Sequence, residues 1–190
     1  MAQHTRPPAA ADHLVAEGCY VALTEDPLDA ADLLARVRSP HAGANVLFSG
    51  TTRDNFHGRP VATLRYAAYR PRALQTLRAI AVDVRARFGL EGVAVVHRLG
   101  AVPIGVDSIL VAVSAPHREA AWRGAETCLE AIKARVEIWK QEVFADHGGD
   151  ESGESEQKVW RANRDTGPSG RCTGPGAGPG TLAEPAGSQP

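Results

Sequence analysis

The apolar residues of this 190-residue chain recur with a period near two in some stretches and near 3.6 in others, and the changes of period mark out its elements. CYVALTED (19–26) sets Cys19, Val21 and Leu23 on one side and predicts a strand. Asp26 or Asp29 can cap the helix that follows, with Pro27 near its first turn. Leu28, Ala31, Leu34 and Val37 give that helix an apolar stripe, which ends before Ser39-Pro40. ANVLFSGTTRDNF (44–56) is a short apolar strand running into a polar turn, and VATLRYAAY (61–69) is the next strand. PRALQTLRAIAVDVRARFG (71–89) is a helix with Leu74, Leu77, Ile80, Val84 and Phe88 on its apolar face and Gly89 at the C-terminal cap. VAVVHRLGAVPIG (93–105) and DSILVAVSA (107–115) read as two buried strands joined through a Pro-Gly turn. His117 to Ala134 is a helix with Ala121, Ala125, Leu129 and Ile132 on one stripe. VEIWKQEVF (136–144) either alternates as a strand or continues that helix, and Trp139 within it reads as a core residue.

The resulting order is β-α-β-β-α-β-β-α-β, with the last strand open. Hairpins mixed with helices point to an α+β fold, a two-layer sandwich of helices on a mixed, largely antiparallel sheet. Residues 1–13 are rich in Ala, Pro and His and have no periodicity, so they are expected to be a disordered extension. Residues 165–190 form a Gly/Pro-rich tail with the composition of a disordered linker, which leaves 14–164 as the folded domain.

Composition removes several classes of function. A formal net charge of -1 provides no global field for nucleic acid or an anionic membrane, so neither is expected as a partner. No apolar run approaches the ~18 residues that would span a bilayer, and the N-terminus has no signal-peptide core. Cys19, Cys128 and Cys172 are far apart and suit a reducing cytosol, hence a cytoplasmic protein. The seven histidines are scattered without metal-binding spacing, and no phosphate-binding loop or nucleophile elbow is present; no metal or cofactor is expected.

What remains is a set of cations at strand ends. Lys133 and Lys140 are the only lysines in the first 157 residues of an arginine-rich chain. An ammonium can lose its proton, whereas a guanidinium cannot, so two lysines here suggest proton chemistry. Arg53 follows a Gly-Thr-Thr turn, His97-Arg98 ends a strand, and His117-Arg118 stands where a strand passes into a helix, a place suited to a phosphate or carboxylate. Each also has a plainer account: a hairpin loop for Arg53, a satisfied half-buried histidine for His97, an acid partner across the sheet for Arg98, a helix-start residue for His117, a surface ion pair for Arg118, a solvated helix face for the lysines. One distance complicates a shared site. In a continuous helix His117 and Lys133 stand about 24 Å apart, so the chain must bend or a second copy must contribute.

FSGTTRDNFHGRPV, VVHRLGAVPIG, SAPHREAA and AIKARVEIWKQE, in this order and spacing, closely resemble the large (catalytic) subunit of molybdopterin synthase, over roughly residues 18–164. The resemblance implies an α/β hammerhead-like fold. It implies conversion of cyclic pyranopterin monophosphate to molybdopterin by dithiolene formation. The sulfur would come from the thiocarboxylated C-terminal Gly-Gly of a small ubiquitin-like carrier subunit. It further implies a homodimer within a heterotetramer. The family's loop arginine falls on Arg53, its His-Arg pair on His117 and Arg118, and its pocket lysines on Lys133 and Lys140. Arg53, His117 and Arg118 are then expected to bind substrate, Lys133 to act as general acid/base or acyl acceptor, and Lys140 to act electrostatically. Where the family has Val-Pro-Ile-Trp-Lys-Lys, this chain has Val136-Glu137-Ile138-Trp139-Lys140-Gln141, so no proline enforces a bend. Two other readings are open: a non-catalytic dimeric α+β domain binding a phosphorylated metabolite, and a transferase using His117 as base or nucleophile.

Overall fold

The computed structural model describes residues 12–56, 58–145 and 160–163. The elements in chain order are β1 (Asp12–Ala16), β2 (Cys19–Thr24), α1 (Ala30–Val37), β3 (Ala44–Thr51), β4 (Asn55–Phe56), β5 (Arg59–Ala68), α2 (Arg70–Phe88), β6 (Gly92–Arg98), β7 (Gly100–Pro103), β8 (Asp107–Ala115), α3 (Arg118–Arg135), β9 (Ile138–Phe144) and β10 (Arg161–Ala162). Among the described residues no helix is long and apolar enough to cross a membrane.

The first sheet runs β1-β2-β6-β8-β3, with β2 and β6 parallel and the remaining pairs antiparallel. Side chains alternate across it. Val21, Leu23, Val93, Val95, Val111 and Val113 belong to the core cluster that also holds the buried faces of α2 and α3; Val21 and Leu23 are on the side that alternation in 19–26 picked out. Ala94, Leu110 and Ala112 point the other way and meet Leu33 and Val37 of α1. The helix-on-sheet sandwich is therefore as expected, with α1 as an addition on the reverse face. The helix ends follow local chemistry. Asp29 is the cap of α1, its carboxylate accepting from the N–H groups of Ala31 (2.8 Å) and Asp32 (3.0 Å). Gly89 closes α2 in the left-handed region at φ 60°, ψ 43°.

The second sheet runs β10-β9-β5-β4, with β7 also on β5. Three features of the chain differ from expectation. Asp12 and His13, placed in the extension, begin β1, and Arg70 ties Asp12 (3.0 Å) and Glu25 (2.8 Å) to the start of α2. The stretch 93–105 is two strands in different sheets. Leu99 is buried and its N–H reaches the Thr24 carbonyl at 2.7 Å, then Gly100 turns at φ 75° and carries the chain across to β5. Trp139, expected in the core, is 39% exposed, because it falls on the outward side of a strand rather than inside a helix. The rest of 1–13, and 165–190, lie outside the described residues.

Candidate active site

The site forms where the ends of β3 and β8 meet the second sheet. After Gly50 the chain turns, and buried Thr52 locks the turn against the β7–β8 corner. Its N–H donates to the Val106 carbonyl (3.1 Å), its carbonyl accepts from Gly105 (2.9 Å), and its hydroxyl reaches the Val102 carbonyl (3.4 Å). The Ser108 hydroxyl donates to the Gly50 carbonyl at 2.9 Å. Gly50 itself is required by close approach, since a Cβ there would stand 2.8 Å from Ile109 Cγ2. The turn thereby holds exposed Arg53 over a pocket of about 140 Å³, which Phe56, Tyr66, Lys133, Lys140 and Asn163 also line.

The two lysines reach this pocket from either side of a corner. Lys133 is in the last turn of α3, which stops because Val136 adopts extended backbone (φ −74°, ψ 138°), and Lys140 lies on β9. The helix-or-strand ambiguity over 136–144 is thus resolved as a strand. The bend that proline would impose is made here by side-chain ties. Glu137 accepts from Arg72 Nε (2.8 Å) and from the Thr76 hydroxyl (2.9 Å), clamping the corner to α2. Burial pushes the Glu137 carboxyl up, but hydrogen bonds from Thr76, its own backbone N–H and Arg72 outweigh it and hold the carboxyl below the ordinary value.

Strand register explains which side chains face the pocket. Tyr66 pairs with Lys140, and Leu64 with Glu142, so all four project on one face of the second sheet. Lys140 Nζ lies 3.4 Å from Glu142 Oε1 and 5.6 Å from the centre of the Phe56 ring. Glu142 Oε1 is buried and accepts no hydrogen bond among the described residues, so the contact with Lys140 is one of charge.

Behind Tyr66 sits His97, fully buried and edge-on to the tyrosine ring at 5.0 Å. Its Nδ1 must donate, because its neighbour at 2.8 Å is the Arg98 carbonyl. Nε2 then accepts from Asn163 Nδ2 at 3.1 Å, which makes the ring neutral. Burial pushes its pKa down to about 4, against the backbone hydrogen bond and with help from the nearby Lys133 charge. His97 is therefore a satisfied histidine, as the plainer account had it, but fully rather than half buried. Arg98 beside it donates to the Glu25 carbonyl at 3.2 Å rather than to an acid.

Of the residues expected at the site, Arg53, Lys133 and Lys140 come together on the pocket, whereas His117 and Arg118 do not. They are exposed at the start of α3, and Lys133 is in its last turn, about 24 Å along the helix axis. His117 caps the helix only through its backbone. Phe56, Tyr66, Glu142 and Asn163 were not singled out from sequence. The alternation of β5 and β9 could have found Tyr66 and Glu142, had the register been known; for Asn163 there was no signal, since it follows a strand of only two residues. Among the described residues no group of His, Cys, Asp and Glu could hold a metal ion.

A model of the MoaE protein family matches residues 23–135. Among curated relatives, the molybdopterin synthase catalytic subunit of Sclerotinia sclerotiorum is 53% identical over 83% of this chain and 76% of its own length. That of Pyricularia oryzae is 52% identical over 86% of this chain and 85% of its own. Among solved structures, the chain is similar to molybdopterin synthase from Staphylococcus aureus, with a TM-score of 0.63 and 32% identity over 67% of this chain and 96% of that one. It is also similar to the MoaE protein of Burkholderia ambifaria, with a TM-score of 0.55 and 28% identity over 67% and 90% of the two chains. The chain belongs to the MoaE family, that of the molybdopterin synthase catalytic subunits.

Proposed function

We propose that this chain catalyses sulfur transfer in molybdenum cofactor biosynthesis. It converts cyclic pyranopterin monophosphate to molybdopterin, with sulfur from the thiocarboxylated C-terminus of a small ubiquitin-like carrier subunit. The observation that carries the reading is the meeting of Arg53, Lys133 and Lys140 on one pocket in a chain of this family. Both substrates are anions, and three cations on a pocket with an apolar wall of Phe56 and Leu64 suit a flat, phosphorylated ring.

Each side chain has a separate task. Arg53, on a turn locked through Thr52, offers a planar donor fork to the cyclic phosphate. Lys133 exchanges a proton with the reacting centre, or accepts the carrier's acyl end, tasks for which an amine is suited and a guanidinium is not. Lys140 stabilises the negative charge of the thiocarboxylate and of the sulfur leaving it. Two sulfurs are needed for a dithiolene, so two carriers are consumed per product.

His117 and Arg118 complete the pocket of a second copy. Their exposure at the far end of α3 supports this, since they cannot reach the Lys133 of their own chain. The functional unit is then a homodimer with a carrier at each end, and the two buried free thiols, Cys19 and Cys128, are in keeping with a cytoplasmic enzyme.

The test is reconstitution from the purified chain, thiocarboxylated carrier and pterin precursor. Lys133→Ala is expected to abolish dithiolene formation with folding and carrier binding nearly unchanged, and Lys133→Arg to be equally inactive. Product formation by Lys133→Arg at the wild-type rate would remove proton or acyl chemistry from Lys133 and leave a binding role alone.

A further inference from the structure

One more cation stands on the pocket face of the second sheet. Arg161 of β10 pairs in register with Lys140, which pairs in turn with Tyr66, so the three side chains form a row across β10, β9 and β5. The Arg161 guanidinium lies 5.9 Å from the centre of the Phe56 ring, and the Lys140 ammonium lies 5.6 Å from the same centre. Charge distinguishes the two. Lys140 shares its charge with Glu142 at 3.4 Å, whereas among the described residues no carboxylate pairs with Arg161. Among the described residues, then, the positive charge at this corner that has no carboxylate beside it is that of Arg161.

Its position is also secured. Two residues on, the Asn163 N–H donates to the Ile138 carbonyl at 3.0 Å, and the Asn163 side chain donates to His97 Nε2 at 3.1 Å. His97 is fully buried and held by the Arg98 carbonyl at 2.8 Å, so β10 is fastened to the core through side chain as well as backbone. A two-residue strand has little pairing of its own to hold it, which makes that side-chain anchor decisive.

We propose that Arg161 is a further binding residue of this site, holding the C-terminal carboxylate or thiocarboxylate of the incoming carrier beside Lys140, and that Asn163 and His97 position it. This rests on the sulfur-transfer reading of the same pocket. A guanidinium beside Lys140 on this face grips a planar two-atom anion with two parallel hydrogen bonds, leaving Lys140 to the charge that develops during transfer.

The experiment is steady-state kinetics of molybdopterin formation with each substrate varied in turn. Arg161→Ala is expected to raise KM for the thiocarboxylated carrier about tenfold, the loss of one charge-assisted contact at a solvent-open position, with KM for the pterin precursor and kcat within about twofold. Arg161→Lys restores part of the loss. Asn163→Ala, which keeps the guanidinium but removes its anchor, raises the same KM and spares the other. An unchanged carrier KM in Arg161→Ala overturns the proposal, as does a rise confined to the pterin precursor. Failure of the wild-type chain to form product from these two substrates would instead defeat the sulfur-transfer reading itself.

Discussion

The buried His97 makes stability depend on pH in a window that can be calculated. The perturbation is acidification, with His97→Leu as the reference that keeps the volume and removes the titration. In the folded chain burial pushes the imidazole from 6.5 down to about 4. As pH falls below 6.5 the unfolded chain takes up a proton that the folded chain refuses until about pH 4. The contribution is thus complete above 6.5 and declines as pH falls toward 4, by on the order of 3 kcal/mol in all. At neutral pH His97→Leu loses the bonds to the Arg98 carbonyl and Asn163 and leaves both partners unpaired, a cost of about 2–3 kcal/mol. The two effects are of similar size. Urea unfolding at pH 7 should show the variant less stable by that amount, and at pH 4.5 the gap should nearly close. Parallel stability curves for the two proteins between pH 7 and 4.5 would refute a neutral, charge-excluding environment for His97.

Two further predictions test the corner and the assembly. Glu137→Ala should lower stability by about 1 kcal/mol, a modest figure because the Arg72 partner is 71% exposed. Since the Glu137 carboxyl is held below its ordinary 4.5, its share is present above that pH and lost on further acidification, a loss that urea titrations of the variant should lack. Copies carrying Lys133→Ala and copies carrying His117→Ala, each inactive alone, should regain about a quarter of wild-type sites when dissociated and reassociated at equal amounts. That figure follows because half of the dimers are mixed and each has one intact pocket. No regain would place His117 outside the pocket or within that of its own chain.

How far the site could be read from sequence depended on the range of each interaction. Gly89, Asp29 and the stripes of α2 and α3 are local signals, and they hold in the structure because caps and helical faces are decided within a turn or two. The lysines stood out through composition, as an amine chosen twice where arginine is the rule, but only the family resemblance implied that they share a pocket. What escaped depends on pairing between distant segments. The division of 93–105 between two sheets is set by Leu99 bonding to Thr24, and the facing of Glu142 and Tyr66 by the register of β9 on β5. Asn163 is the extreme case. Its role exists only because a histidine 66 residues earlier is buried and neutral.

Glu137 shows why such distant ties matter to the chemistry. Where a proline would stiffen the α3–β9 corner through its own backbone ring, this chain uses a carboxylate bound to two side chains of α2. The separation of Lys133 and Lys140, and under the proposed function the placing of an amine against a bound anion, then depends on how α2 packs over the sheet. Misplacement of about 1 Å can cost on the order of a hundredfold in rate. Substitutions at Arg72 or Thr76, remote from substrate, should therefore depress kcat before they unfold the chain. A proline at this corner would confine such sensitivity to the corner itself, so the exchange to Glu137 makes helix α2 part of the support of the active site.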